Sequence, residues 1–442
     1  MPQVTNKEIW RIAYPIIFGN LAQTLITLIN TSFLGHVGIL ELGASMIAGI
    51  YYYVFTTLAW GFAVGVQIII SRRFGEKRYG EIGVVFDHGL LFVSMLATVL
   101  FLLLRFSTES LLDTIIKSDP IYHLAMDFMK YRHYGILIVC FNFLYRALYV
   151  GLSNTKIITF TTLTMACVNI FLDYALIFGN LGFPKMGISG AAIASVCAEA
   201  SALIFFTIYT LVKLPIKQYA MYRFKALKSR LMKSILKVSF PTMLQRLFSF
   251  GTWFAFFVMI ESMGELPIAV SSIVRSVNML LLIPVYAYSA TANTLTSRLI
   301  GENRYSDIKP TLFKTLKLSM LTTLPMLLFC VFFPQIIASI YTDDTMLVQA
   351  SVSTIHVVSA ATVLACASYI FFDAVSGTGN TISALYIELI VLVFYLLYIY
   401  VSSQVIAAEI HIVWLAEIVY ALLLGIGSVL YLKFVNWQKK KI

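Results

Sequence analysis

Twelve apolar runs, each long enough to cross a bilayer, constrain this chain more than any other feature of its sequence. A transmembrane α-helix needs about 20 predominantly apolar residues. Only 12% of the residues are charged, against about 25% in typical soluble domains. The sequence therefore predicts an all-α integral membrane protein with twelve transmembrane helices. The runs cover residues 10–34, 42–70, 84–106, 131–152, 157–179, 186–212, 235–261, 267–296, 313–338, 350–377, 382–403 and 411–435.

The basic residues of the connections predict the orientation of the chain. Stretch 213–237 contains eight Lys or Arg residues and no acidic residue. Three other segments share this basic character: 72–78, 298–309 and 439–441. The positive-inside rule places such segments in the cytoplasm. Both termini are then cytoplasmic in a multi-pass cell-membrane protein. The net charge of +11 follows from topology and from contact with anionic lipid, so the sequence predicts no nucleic-acid partner.

The sequence contains no motif typical of an enzyme or of a metal site. Its five cysteines lie in apolar runs without CxxC or Cys/His spacing, so they are interpreted as core residues. There is no HExxH or Walker motif, and the glycine-rich stretch 376–380 lacks the aspartate of an intramembrane protease. We expect neither an enzymatic activity nor a cofactor.

An internal repeat divides the chain into two halves. "SRRFGEKRYGEI" (71–82) and "SRLIGENRYSDI" (297–308) are identical at seven of twelve positions, with an offset of 226 residues. The same offset relates Pro15 to Pro241 and Gly151 to Gly377. Six helices per half is an even number, so both halves insert in the same orientation as parallel repeats. The predicted organisation is an N-terminal lobe (1–212), a basic cytoplasmic linker (213–234) and a C-terminal lobe (235–442).

Three stretches give the chain its resemblance to a known family. They are "YPIIFGNLAQTLITLINTSFLGHVG" (14–38), the two Gly-Glu loops, and "VNIFLDYALIFGNLGFPKMGISGAAIAS" (168–195). In these the sequence resembles the multidrug and toxic compound extrusion (MATE) transporters, and is closer to their DinF-type branch. The resemblance implies two six-helix lobes and cation-coupled export of organic compounds.

The resemblance also implies a cation-coupling site in the N-terminal lobe. Asn169 and Asp173 match the polar pair that the DinF-type branch carries in its fifth helix, and Ser195 matches the hydroxyl residue of the sixth. The helix 1 aspartate of that branch is replaced by Asn30. The acidic residue that the other main branch carries in helix 7 is absent, and Gln245 and Ser249 lie on the corresponding surface.

Spacing along the helices supports a common depth for these four residues. With a rise of about 1.5 Å per residue, Asp173, Asn169, Asn30 and Ser195 all lie roughly 9–15 Å below the outer surface. Intramembrane carboxylates are generally functional. We expect Asp173 to hold the coupling ion, which is a proton or, alternatively, Na⁺. A single carboxylate offers Na⁺ few charged ligands and therefore favours the proton. The competing interpretation is an Asp173 that stays protonated and only packs against Asn30 or Ser195.

Other polar residues inside the runs are candidates for secondary roles. Glu199 could line the Asp173 pocket or form a buried pair with a neighbouring helix. Arg146 and Asp373 lie at matching depth in opposite lobes and could pair as an inner gate, although snorkelling to the interface explains each of them as well. Gln23 and Gln67, with Gln245 and Ser249, could face the substrate or bond between helices.

Two transport functions fit these features. The first is an antiporter that exports amphipathic, often cationic, organic compounds, working as a monomer. The alternative is a flippase for lipid or lipid-linked oligosaccharide, which should line its cavity with several basic residues to hold diphosphate. Arg246 and Arg275 are the evident candidates in the C-terminal lobe, where Glu388 and Glu417 have no assigned role. Arg246 and Glu417 could form a structural pair.

Overall fold

The computed structural model describes residues 3–224 and 228–439. Within this part of the chain, twelve helices are long and apolar enough to cross a membrane. Each coincides with one apolar run, which confirms the predicted fold class. The helices are α1 (Asn6–Val37), α2 (Ile39–Gly75), α3 (Tyr79–Ile115), α4 (Asp119–Gly151), α5 (Lys156–Phe178), α6 (Gly187–Lys213), α7 (Ser229–Glu261), α8 (Glu265–Gly301), α9 (Tyr305–Phe332), α10 (Thr345–Gly377), α11 (Thr381–Val405) and α12 (Ile410–Phe434).

Most helices extend beyond their apolar runs, and two of the boundaries that differ have clear local reasons. The ninth run continues to residue 338, but α9 ends at Phe332 and a short helix, Pro334–Ser339, follows. Proline lacks the backbone N–H that an uninterrupted helix needs. Helix α7 begins at Ser229, inside the segment expected to be linker, because the amphipathic start of this helix is too polar to count as an apolar run.

The helices form two compact units. One unit is Phe18–Met243, and the other combines Met1–Ile17 with Leu244–Ile442. The chain passes from one unit to the other inside α1 and again inside α7, close to Pro15 and Pro241. The two division points are related by the repeat offset, as are the two prolines. Each unit therefore contains a piece of the other sequence half.

Glycines at repeat-related positions allow close helix packing in both units. A Cβ on Gly151, at the end of α4, would lie 3.0 Å from the Gln67 carbonyl oxygen on α2. A Cβ on Gly377, at the end of α10, would lie 2.5 Å from the Asn293 carbonyl oxygen on α8. The 226-residue offset relates both members of these pairs. The same backbone contact thus recurs in each unit, which is independent support for the repeat.

Part of the linker is fastened to α3. The Asp87 carboxylate accepts hydrogen bonds from the backbone N–H groups of Tyr222 (2.9 Å), Arg223 (3.0 Å) and Phe224 (3.2 Å). His88 Nε2 accepts another from the N–H of Lys228, at 3.1 Å. Residues 225–227 of the linker, and 440–441 of the basic C-terminus, lie outside the described residues. The described linker is therefore a docked segment on the Phe18–Met243 unit.

Candidate functional site

Backbone contacts between α5 and α6 position the candidate site. Helix α5 ends where Gly179 adopts left-handed backbone, with φ of 76°, a conformation that glycine takes without strain. The Met186 N–H then donates to the Leu176 carbonyl oxygen at 2.8 Å. Gly190 allows α6 to approach, since a Cβ there would lie 2.8 Å from the same oxygen. These contacts fix the last turns of α5, which carry Asp173.

Asn30, Asn169 and Asp173 form one hydrogen-bonded cluster. We orient the Asn30 amide so that its nitrogen donates, at 2.6 Å, to Asp173 Oδ2 and, at 2.7 Å, to Asn169 Oδ1. The opposite orientation would place its oxygen against two other oxygens. Asn169 and Asp173 are four residues apart and therefore share a helix face. Three of the four residues implied by the resemblance thus meet around one carboxyl group.

Two polar atoms of this cluster have no hydrogen-bond partner among the described residues. Asp173 is fully buried at 0% exposure and Asn169 is at 1%. Within the described part of the chain, no hydrogen bond reaches Asp173 Oδ1 or Asn169 Nδ2. Leaving a buried polar atom unsatisfied costs about 1–3 kcal/mol. Among the described residues, the cluster thus keeps one acceptor, Asp173 Oδ1, and one donor, Asn169 Nδ2, without a partner.

Ser195 and Glu199 have different surroundings on α6. No hydrogen bond joins the Ser195 hydroxyl to the cluster within the described residues, and the side chain is partly buried. Glu199 binds Arg132 of α4 through two hydrogen bonds, of 2.9 and 2.6 Å. The Arg132 guanidinium also lies 4.0 Å from the centre of the Tyr52 ring. Glu199 thus belongs to a buried ion pair, the second of the two roles considered for it.

Sequence reasoning did not single out Arg132. This arginine begins the fourth apolar run, where a basic residue is usually an interface anchor. Its side chain is only 14% exposed and that of Glu199 12% exposed. Glu199 lies deep in an apolar helix, where a carboxylate needs a cationic partner. That need is the sequence signal that could have pointed to the pair. The sequence gives no distance between the two helices, so it could not choose the partner.

A second buried carboxyl group lies in the unit that contains α8 to α12. Glu388 of α11 is 2% exposed. Its Oε1 accepts hydrogen bonds from Ser249 of α7 (2.7 Å) and Tyr420 of α12 (2.8 Å). No partner reaches its Oε2 among the described residues. Ser249 is thus a hydrogen-bond donor to Glu388, and the neighbouring Gln245 side chain is buried.

Other polar groups surround Glu388. Arg246 is close enough to act electrostatically on both Asp373 and Glu388. Glu417 accepts a hydrogen bond from Tyr395 at 2.8 Å. A cavity of about 10 Å³, lined partly by Glu417 and Tyr420, is large enough for about one water molecule. This unit therefore carries its own buried polar network.

The two expected gate residues each have partners within their own unit. Arg146 donates to Asn20 Oδ1 at 3.0 Å. Asp373 accepts from the Ser289 hydroxyl, and its carbonyl oxygen accepts from Asn293 Nδ2 at 3.0 Å. A pairing of Arg146 with Asp373 stays a prediction. Of the two remaining candidates, Gln67 is buried and Gln23 is exposed.

Comparisons with known proteins agree with this architecture. The model of the MatE family matches residues 15–175 and again 241–401, at the offset of the internal repeat. A probable multidrug resistance protein NorM of Thermotoga maritima is 23% identical over 398 residues, covering 88% of this chain and 83% of that protein. A second NorM, of Synechocystis, is 22% identical over 342 residues, or 77% and 74% of the two chains.

Solved structures share the fold. One, described as the outward-facing conformation of a multidrug resistance MATE family transporter, superposes with a TM-score of 0.90 at 20% identity, over 99% of this chain and 97% of the other. A MATE structure in a bent conformation gives a TM-score of 0.85 at 21% identity, over 96% and 93%. Since the family model covers most of the chain in two repeats, this protein belongs to the MATE family, whose members are membrane transporters and not enzymes.

Proposed function

We propose that this chain is a cation-coupled antiporter that exports amphipathic organic compounds, cationic ones included, by alternating access. Asp173 is the group that binds the coupling ion. The observation that carries the proposal is the buried cluster of Asp173 with Asn30 and Asn169, in which Asp173 Oδ1 has no partner among the described residues. Buried polar groups generally have hydrogen-bond partners, so an unpartnered carboxyl oxygen supports a role for Asp173 beyond packing.

The donor set of the cluster favours a proton over Na⁺. Asn30, turned with its nitrogen towards Asp173, presents an N–H donor to the carboxylate. An N–H donor cannot coordinate a metal cation, so Asn30 in this orientation adds no Na⁺ ligand. Where the DinF-type branch has a second carboxylate, this chain has an amide. A proton needs one free oxygen, and Asp173 Oδ1 supplies it.

The NorM relatives are named as probable multidrug resistance proteins, which supports drug-like substrates for this chain. The basic linker and loops support the proposal that both termini are cytoplasmic and that the protein lies in the plasma or inner membrane. We propose that the protein works as a monomer.

Substitution of Asp173 by Asn tests the coupling role. Asn keeps the size and can still accept from Asn30, but it cannot bind and release a proton. We expect Asp173→Asn protein to fold, to bind a cationic dye with unchanged affinity, and to lose dye efflux driven by an imposed pH gradient. The measurement is dye efflux from proteoliposomes with either a proton or a Na⁺ gradient. The matched control is Asp127→Asn, which makes the same change at an exposed position of α4 and should transport normally.

Two results would contradict the proposal. Full efflux by folded Asp173→Asn protein would mean that Asp173 is structural. Efflux by the wild type that follows the Na⁺ gradient alone would replace the proton by Na⁺. Asn30→Asp restores the second carboxylate of the DinF-type branch. We expect this variant to keep transport and to gain sensitivity to Na⁺, because it supplies an anionic oxygen ligand.

A further inference from the structure

Arg275 of α8 is an arginine whose described contacts are all with aromatic rings. Its guanidinium lies 5.4 Å from the centre of the Phe257 ring and 5.9 Å from that of Trp253, both on α7. Across the described residues, no hydrogen bond or ion pair reaches it. Arg132 and Arg146, by contrast, donate to oxygens of Glu199 and Asn20. The hydrogen-bonding capacity of Arg275 is therefore unused.

Arg275 is only partly buried, so its guanidinium is accessible to a ligand. Arg275 lies ten residues after Glu265, where α8 begins, which is about 15 Å along the helix axis. An arginine inside a membrane span generally faces protein or a water-filled space and has a partner. The contacts with the two rings occupy the face of the guanidinium, and they leave the N–H donors at its edge available to a ligand.

The surface around Arg275 is polar along α8 and aromatic along α7. Ser272 and Ser276 lie one turn and one residue away on α8, and their hydroxyls donate to the backbone carbonyls of Ile268 and Ser272 at 2.9 and 3.1 Å. Each hydroxyl keeps lone pairs that can accept. Trp253 and Phe257 are partly buried. A ligand that binds here would contact the N–H donors of the Arg275 guanidinium and the flat rings of Trp253 and Phe257.

We propose that Arg275, with Trp253 and Phe257, recognises the acidic group of aromatic amphipathic substrates, such as a carboxylate on a flat ring system. A guanidinium binds a carboxylate through two parallel hydrogen bonds, while the ring of the substrate packs against the aromatic side chains. This inference rests on the proposed export function and extends it. The substrates include zwitterions and organic anions as well as cations.

A pair of matched ligands tests the inference by binding. The probes are 7-diethylaminocoumarin-3-carboxylate and its neutral ethyl ester, and binding to the full-length protein is followed by quenching of tryptophan fluorescence. We expect Arg275→Gln to raise the Kd of the carboxylate about tenfold and to leave the Kd of the ester unchanged, as loss of a charge-assisted hydrogen bond requires. Arg275→Lys keeps the charge but loses the paired N–H donors. Its Kd for the carboxylate should lie between those of the wild type and Arg275→Gln.

Two further variants locate the effect. Trp253→Phe keeps an aromatic face and should remove most of the quenching by the carboxylate. Persistent quenching in that variant would place the ligand elsewhere and overturn the inference. Arg105→Gln removes an exposed arginine of α3 and should change neither Kd.

The remaining outcomes separate this inference from the proposed function. Equal weakening of the carboxylate and the ester in Arg275→Gln would show a structural role and overturn it. No change in either Kd would show that Arg275 does not contact the carboxylate, which also overturns the inference. If the wild type binds the carboxylate through Arg275 but no gradient drives efflux of any probe, recognition stands and the export proposal fails.

Discussion

At the scale of single residues, the Arg132–Glu199 pair is a buried charge pair with a distinct structural role. Its two hydrogen bonds join α4 to α6. Asn142 adds a third bond between the same helices, from its Nδ2 to the Glu199 carbonyl oxygen at 2.9 Å. Removing one partner of such a pair leaves the other charge buried without compensation. The pair therefore fixes the packing around the lower-numbered helices, where the Asp173 cluster lies.

We expect Glu199→Gln to lower the free energy of unfolding by about 3 kcal/mol, since it strands the Arg132 charge. The double variant Glu199→Gln with Arg132→Met should recover part of this loss. Thermal unfolding of the purified protein in detergent measures both effects. A Glu199→Gln protein of normal stability that fails to couple efflux to a pH gradient would contradict the structural role, and would instead make Glu199 a coupling group.

Sequence reasoning could identify individual polar residues but only some of their partners. Asp173 and Asn169 lie on one helix, so their common face follows from helical geometry. Asn30 lies on a different helix, and it could be assigned to the same cluster because the family resemblance matched its position to the coupling site. Neither helical spacing nor the resemblance indicated the Arg132–Glu199 pair or the Ser249–Glu388 hydrogen bond. Their partners depend on which helices pack together, and hydrophobicity alone is nearly the same on all sides of these helices.

At the scale of elements, repeat-related glycines set how closely the helices approach. The backbone of α10 at Gly377 leaves no room for a methyl group, since the nearest atom is the Asn293 carbonyl oxygen. The equivalent contact at Gly151 is longer, at 3.0 Å from the Gln67 carbonyl oxygen. The carbonyl is part of a helix backbone and cannot rotate away. The helix pair itself must therefore separate if a side chain is added.

We expect Gly377→Ala to destabilise the protein by about 1–3 kcal/mol, the usual cost of overpacking. Gly151→Ala should cost less, because its neighbour is farther away. The control is Gly43→Ala in α2, where a Cβ would meet nothing within 4 Å. Thermal unfolding ranks the three variants. A Gly377→Ala protein as stable as the Gly43→Ala control would show that α8 and α10 can move apart without cost.

The linker offers another test at this scale. The linker backbone packs directly against Gly83 of α3, since a Cβ on Gly83 would lie 2.2 Å from the Tyr219 carbonyl oxygen. We expect Asp87→Ala to release the segment, because three backbone N–H groups lose their acceptor. Trypsin should then cleave after Lys217 or Arg223 about tenfold faster, as the loss of charge-assisted hydrogen bonds favours local opening. Asp113→Ala, at an exposed site of α3, is the control. Equal cleavage rates in both variants would mean that Asp87 does not hold the linker.

At the scale of the whole molecule, the apolar runs and the repeat predict the fold. Both features depend only on the composition along the chain, and not on which helices pack together. Run length fixes the number of helices, and an even number of helices per repeat fixes their relative orientation. The division of α1 and α7 between the two units could not be predicted this way. It depends on which helix each segment packs against, and the apolar pattern continues across Pro15 and Pro241 without a change.

We expect accessibility to reveal the orientation of the molecule in the membrane. In a variant without native cysteines, Asp343→Cys should react with a membrane-impermeant thiol reagent added outside intact cells. Lys217→Cys, on the linker side, should react only after the membrane is opened. Both positions are exposed, so accessibility is limited by the bilayer alone. The reverse pattern would invert the proposed topology and place both termini outside the cell.

The division of α1 and α7 has a consequence for biosynthesis and ancestry. The unit Phe18–Met243 is a continuous stretch that extends past the first repeat into α7, whereas the other unit joins Met1–Ile17 to Leu244–Ile442. The first half leaving the ribosome cannot complete its unit until the start of α7 follows. The repeat offset relates the two exchanged segments, so an ancestor of half this length would have formed a homodimer by swapping the first turns of its leading helix. Fusion of two such genes would make that exchange intramolecular.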